Sequence, residues 1–320
     1  MNEAHSLCSP SSLERRDQCS ASLYEENKLT SSDDENSRRG TRLHKLMVYR
    51  LRGRLSMDSL VEEERSVITK AFEMAEMALG DDILPDGKTI NGGEWHAELR
   101  MEAVSSSARD YKDWGTSDLV VVYHKEKRIV LLDWKFGGGF IPHPKWNLQL
   151  QDYMTMIWDK FGFDNTIETT YIQPASSENY DINPWHFEPN ERHRIVARIK
   201  EIRERAYGFN REYVVGPACD FCEAARQGTC WARHKVFKDI LLFVGLQDTS
   251  KLDAETLGRA LDSAEVVRRD SERIWSLMKK SVADGQPVDG WMFSTSGNRL
   301  YRKVSQRNRV SEPIHLTKPE

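Results

Sequence analysis

The sequence predicts an α/β protein with a mixed central sheet, on three observations. Its periodic segments run in the order helices, three strands, a helix, a strand and a helix. The two runs inside "GTSDLVVVYHKEKRIVLLDWKFGGG", from Gly115 to Gly139, are apolar on both faces, as in strands covered from both sides. The segments end at breakers, among them Gly80, Gly162 and Pro174.

Residues 1 to about 38 are rich in Ser, Asp, Glu and Asn, and "LTSSDDENSRRG" reads as an exposed loop. "GTRLHKLMVYRLRGRL" has helical spacing, with Leu43, Leu46 and Met47 on one stripe. "SMDSLVEEERSVITKAFEMAEMALG" predicts a second helix, with an N-cap at Asp58 or Ser59 and a stop at Gly80. "WHAELRMEA" alternates with the period of a strand. The apolar pair follows as two strands around an exposed "HKEKR" turn, and "KWNLQLQDYMTMIWDKFG" is a helix closed by Gly162. Then come the strand "TIETTYIQP", the charged helix "EPNERHRIVARIKEIRERAYGF" and a cysteine loop. The last eighty residues predict an apolar stretch, "VFKDILLFVGL", a long helix from Asp253 and a short β-like tail, "GWMFSTSGNRLYRKV".

At 320 residues the chain is long enough for one large domain or two smaller ones. A net charge of −4 argues against coating DNA by bulk charge, while leaving room for a local basic groove. No run of about 18 apolar residues predicts a membrane span, and the N-terminus lacks an apolar signal core. The expected location is cytoplasmic. Five cysteines, Cys8, Cys19, Cys219, Cys222 and Cys230, do not read as a disulfide framework, and the clustering of the last three suggests a metal.

Charges inside the apolar pair need a reason. If Lys125 and Glu126 turn the hairpin, the register sets Asp118 opposite Asp133, with Lys135 on the same face as Asp133. Two ionised carboxylates so close and so buried are costly unless a cation cancels their charge. Hard oxygen ligands suit Mg²⁺ or Mn²⁺. With a lysine beside them they are the parts that metal-assisted phosphodiester hydrolysis needs. An isolated D-x-K is more often a structural ion pair.

Gly115-Thr-Ser-Asp118, Asp133-Trp-Lys135 and Gln149-Leu-Gln-Asp-Tyr153, preceded by Gly40 and His44 in "RRGTRLHKLM", resemble the PD-(D/E)xK nuclease superfamily and its RecB-type branch, which includes Cas4 and the AddB nuclease domain. The likeness is nearest to phage-associated, uncharacterised Cas4-like (DUF2800-type) families, which open on an "SPSS…C" segment. The resemblance implies a restriction-endonuclease-like core over 40–240, an N-terminal segment over 1–39 carrying a cluster cysteine, and a mainly helical extension over 241–320. It implies that His44, Asp118 and Asp133 ligate Mg²⁺ or Mn²⁺, that Lys135 acts on the water or the transition state, and that Gln149 and Tyr153, one helical turn apart, orient the lysine and the strand. Glu98 is an accessory partner by position, with Glu102 as its competitor. Thr116 and the bulky Trp134 depart from the common pattern without removing a functional group.

"CDFCEAARQGTC" places Cys219 and Cys222 on one metal, as in zinc and iron–sulfur sites. By the resemblance Cys19 joins Cys219, Cys222 and Cys230 around a [4Fe-4S] cluster, a four-cysteine clasp across the core, with zinc as the alternative. Arg15, Arg16, Arg38, Arg39 and Arg42, with Lys145 and Trp146, offer a basic, aromatic rim for single-stranded nucleic acid. The functional expectation is a metal-dependent deoxyribonuclease, an exonuclease acting on DNA ends or single strands, in phage or bacterial DNA processing and recombination. Its partners would be DNA and recombination or replication proteins, with no membrane, in the cytoplasm of a bacterium or phage-infected host. The competing expectation is a non-catalytic DNA-binding or scaffold protein that keeps the fold.

Overall fold

A computed structural model describes residues 6–29, 35–80, 83, 92–103, 113–137, 141–174, 182, 184–236 and, beyond these, 258, 261, 264, 265, 267–269, 271, 272, 275, 276, 291–293 and 300–302. The chain divides into two compact units, Met1–Arg233 and His234–Glu320.

The first unit is built on a mixed sheet of five strands in sequential order, β1 (Glu94–Glu102), β2 (Trp114–Tyr123), β3 (Arg128–Trp134), β4 (Thr166–Ile172) and β5 (Trp185–Phe187). β1, β2 and β3 pair antiparallel, β3 and β4 parallel, and β4 and β5 antiparallel. The parallel step needs a crossover, and α5 (Leu148–Phe161) supplies it. The apolar pair is buried on both faces as its composition demands. Val120, Val122, Ile129 and Leu131 join one core with α5 and α6 (Arg192–Tyr207). Leu119, Val121, Val130 and Leu132 join another with α3 (Glu35–Leu51) and α4 (Glu62–Leu79).

α5 is buried over most of its length, because helices and sheet enclose it. Asn147 caps its start by accepting from the Leu150 N–H (3.1 Å). Trp158, fully buried, donates from Nε1 to the Asn165 carbonyl at 2.8 Å, so Trp158→Ala costs about 3–5 kcal/mol. Gly80 ends α4 with a left-handed φ of 63°, as expected of a glycine stop. The start of α4 lies beyond the expected cap: residues 57–59 form a separate turn, and Glu62, Glu63 and Glu64 meet the positive end of the helix dipole.

Two expectations are corrected. The "LTSSDDENSRRG" stretch is not all loop, since its residues 35–40 begin helix α3 and its residues 30–34 lie outside the described residues; ahead of it α1 (Leu13–Gln18) and α2 (Ser22–Glu26) pack on the core, with Cys8 and Leu13 buried. The β2–β3 turn spans four residues, His124–Lys127, not two. The register nevertheless runs Tyr123↔Arg128 to Leu119↔Leu132, so Asp118 and Asp133 are the next opposed positions, as expected.

A short α7 (Glu223–Arg226) lies in the cysteine loop. In the second unit the described residues between 258 and 276 are helical, with Arg268 bridging Glu265 and Glu272. Trp291–Phe293 (β6) pairs antiparallel with Leu300–Arg302 (β7), in agreement with a β-like tail. The "KDILLFVGL" part of the apolar stretch lies outside the described residues. No helix among the described residues is long and apolar enough to cross a membrane.

Candidate active site

β1 does not keep the simple alternation its sequence suggests. Glu98 has φ +56°, a left-handed conformation rare for a side chain of its size. The ladder to β2 skips the Glu98/Asp118 position and resumes in the same register. The strand's faces exchange there: Trp95 and Ala97 pack on the α3/α4 core, whereas Leu99 and Ala103 pack on the α5/α6 core. Backbone strain of this kind costs about 1–2 kcal/mol and clusters at functional sites.

Around that break lies an open cavity of about 600 Å³. His44 from α3, Glu98 from β1, Asp118 from β2, Asp133 from β3, Lys135 just after β3, and Gln149 and Tyr153 from α5 all line it. They are drawn from five elements between residues 44 and 153, and the fold brings them together. Two groups emerge. The ligand atoms of His44, Glu98 and Asp118 lie within 4.8 Å of one another. His44 Nδ1 is 3.1 Å from Asp118 Oδ1, while Asp118 Oδ2 accepts the Trp134 N–H at 2.7 Å. The second group is Asp133, Lys135 and Gln149. Lys135 Nζ lies 2.6 Å from Asp133 Oδ2 and donates to Gln149 Oε1 at 2.7 Å, and Gln149 Nε2 donates to Asp133 Oδ1 at 3.0 Å. A lysine only donates and a carboxylate only accepts, so this ring fixes the amide's orientation. Glu98, read from sequence as accessory, thus sits in the tightest donor set, and Asp133 sits beside it. Glu102 does not line the cavity.

The site is electrostatically loaded. Burial would lower the His44 pKa, but the hydrogen bond and charge of Asp118 outweigh it and hold the imidazolium above its ordinary range. Burial, reinforced by Asp118, pushes Glu98 up. Burial also pushes Asp133 up, against the opposing pull of Lys135. Tyr153 is raised well above its ordinary value, first by burial and then by Asp133 and Asp118, and it donates to the Thr116 carbonyl at 2.7 Å. Its hydroxyl therefore fixes the strand that carries Asp118.

The "SPSS" segment forms a wall that sequence reasoning treated only as a signature. Ser9, Pro10 and Ser11 line the cavity. A Cβ on Gly115 would fall 2.5 Å from Pro10 Cγ and 2.9 Å from Tyr153 Cε1, so only glycine fits there. A buried network pins the segment. Arg203 grips both oxygens of Asp152 (2.6 and 3.0 Å), the Cys8 N–H donates to Asp113 Oδ1 (3.1 Å), and the Tyr207 hydroxyl donates to the same oxygen (2.7 Å).

The expected basic rim is rearranged. Arg15 and Arg16 turn onto Glu26, Arg39 pairs with Glu63 at 2.6 Å, and Arg42 pairs with Glu64. Lys145 lies over the rings of Trp146 and Trp185, and Trp146 is exposed. None of these six lines the cavity around Asp118. A second groove of about 460 Å³ shares Pro10, Ser11, Lys135 and Gln149 with the cavity and runs to the exposed Phe221.

Cys19, Cys219, Cys222 and Cys230 line one small cavity of about 20 Å³, apart from Cys8. No three of their sulfurs lie within 4.8 Å of one another. Burial pushes the Cys222 thiol up to about 11 and also raises Cys19 and Cys219.

Among solved structures, the chain is similar to SSO0001, with 14% identity over 68% of this chain and 84% of that one and a TM-score of 0.36. It is also similar to a Eubacterium rectale protein named "Putative exonuclease", with 10% identity over 70% and 88% and a TM-score of 0.42. At these scores neither likeness carries an argument about this chain. No curated protein matches it. A family model described as "Protein of unknown function (DUF2800)" matches residues 5–317, nearly the whole sequence, and the chain belongs to that family.

Proposed function

We propose that the cavity is the active site of a metal-dependent deoxyribonuclease of the PD-(D/E)xK type, with a restriction-endonuclease-like core. The carrying observation is the convergence of His44, Glu98 and Asp118 within 4.8 Å beside the Asp133–Lys135–Gln149 ring. One imidazole and carboxylate oxygens fit Mg²⁺ or Mn²⁺. When bound, such an ion supplies an activated water and neutralises the phosphate.

The chain's own residues do the rest. Asp118, held by the Trp134 N–H, keeps one oxygen for His44 and the ion. Asp133 is the neighbouring carboxylate that would help hold the same ion, and it holds Lys135 in place. Lys135 commits two donors to Asp133 and Gln149, which leaves its third for water or a phosphate oxygen. Tyr153 fixes β2, and Gln149 fixes the lysine. The second groove, continuous with the cavity, gives a polymer a path through the site, which favours single strands or DNA ends over a free nucleotide. Recombination or replication proteins are the partners this reading implies.

For the cysteines we propose a structural [4Fe-4S] cluster on Cys19, Cys219, Cys222 and Cys230. A zinc tetrahedron with bonds of about 2.3 Å holds its sulfurs closer than any three of these lie. The small cavity among them favours the alternative, a single zinc. Iron and sulfide analysis of anaerobically purified protein separates the two.

End-labelled single- and double-stranded DNA, incubated with Mg²⁺ or Mn²⁺, tests the activity. Wild type is expected to shorten the label progressively while Asp133→Ala leaves it intact. Equal cleavage by both removes the assignment, and binding without cleavage by wild type supports a scaffold.

A further inference from the structure

Three cationic side chains line the cavity, His44, Arg100 and Lys135. Two are committed: His44 to Asp118, and Lys135 to Asp133 and Gln149. Arg100 is different. Among the described residues no carboxylate pairs with it, and its guanidinium carbon sits 3.7 Å from the ring centroid of Trp114, which also lines the cavity. The sheet makes this pair. Arg100 is opposed by Thr116, so Trp114 is its diagonal neighbour on the same face. The left-handed turn at Glu98, two residues earlier, sets which face that is.

We propose that Arg100, held over the Trp114 ring, is a phosphate clamp that grips the nucleic-acid backbone beside the scissile bond. This rests on the nuclease reading and deepens it by naming the group that positions the strand. A guanidinium stacked on an indole is pre-organised, and its donor edge matches two phosphate oxygens at once. The carboxylates of the cavity would repel a phosphodiester, so an uncommitted cation at their margin is what a polyanionic substrate needs. Sequence reasoning passed over Arg100 because a charged residue in an alternating edge strand reads as a solvated face.

The test separates binding from cleavage. Full-length protein is titrated against a fluorescent single-stranded oligonucleotide in EDTA over a range of KCl. Arg100→Ala is expected to weaken binding about five- to fifty-fold and to flatten the plot of log affinity against log salt by about 0.7, the value for one phosphate contact on a single strand. Arg100→Lys should keep the slope and still bind more weakly, and thermal stability should hold in both. An abasic oligonucleotide should show the same loss. A loss that vanishes on the abasic strand means that Arg100 stacks on a base, which overturns the phosphate assignment. Unchanged binding by Arg100→Ala overturns the clamp while leaving the nuclease reading intact. A wild type that binds no oligonucleotide overturns both.

Discussion

The two candidate metal sites of the first unit are opposites. The cavity around Asp118 is wide, open and charged, and its donors come from five elements. The cysteine cavity is small, and burial raises the thiols of Cys19, Cys219 and Cys222 toward the neutral form. Without an ion, the first site holds carboxylates against their own repulsion and a strained Glu98, so it costs the fold stability. The second costs little, because neutral thiols bury well. On the proposed reading the first would act on a charged ligand, and the second would tie the chain.

The largest expected effect is at Lys135. Lys135→Ala should lower the cleavage rate by roughly 10²–10³-fold, the scale for losing one transition-state donor. Its Mn²⁺ affinity, read by calorimetry, should move little. An equal loss in both would reduce Lys135 to a structural partner of Asp133 and erase the contrast with the inert second site.

Cys19→Ser sharpens the other side. It should strip the metal from the cysteine cavity. The N-terminal segment should stay docked, because it has other ties: Asp17 to Arg198 and Arg205, the Tyr213 hydroxyl to Glu25, and the Ala21 N–H to the Glu212 carbonyl. The drop in thermal stability is therefore smaller than the several kcal/mol expected from opening a loop of about 200 residues. Cys8→Ser should keep the metal. Cys8 is fully buried in the α5/α6 core, so its serine variant should lose about 1–3 kcal/mol. Metal loss in Cys8→Ser, or retention in Cys19→Ser, reverses the ligand assignment.

Glu98→Gly should separate strain from ligation. Glycine accepts a positive φ without cost, so the metal-free variant should gain about 1 kcal/mol in a denaturant titration. Mn²⁺ affinity should fall about tenfold or more. A variant that loses stability would show that Glu98 supports the fold.

The smallest effect is a pH trend. The stability His44 gains from Asp118 is present below its ordinary pKa of 6.5 and is lost as pH rises through the raised value. Glu98 and Asp133, raised above 4.5 and 3.8, keep protons that the unfolded chain has released, so the metal-free fold also loses stability as pH climbs through their raised values. An ion competes with those protons. The rise in Tm on adding Mn²⁺ should therefore grow from about pH 5 to about pH 8. A flat profile would mean that these groups do not face the ion.

The hairpin register was legible because the charged turn and two apolar runs leave one way to pair, and that register placed Asp118 against Asp133. Helix α5 was legible from its apolar density and Gly162. The reversal of faces at Glu98 was not, since left-handed residues announce themselves in sequence only as glycine or asparagine. The N-terminal helices were hidden by their polarity: Ser12, Arg16, Ser22 and Glu25 are buried through ion pairs and hydrogen bonds, which a hydrophobic pattern does not register. For the same reason Arg15 and Arg16 read as a basic rim when they face Glu26.

The most direct test is the rate of cleavage of an end-labelled single strand against Mn²⁺ concentration, in wild type and in Asp118→Asn. Wild type is expected to saturate at micromolar to millimolar Mn²⁺ and to stop in EDTA. Asp118→Asn, which keeps its size and loses the charge that His44 and the ion share, should lose the activity at every concentration. Metal-independent cleavage, or a variant that cuts like wild type, would contradict the account.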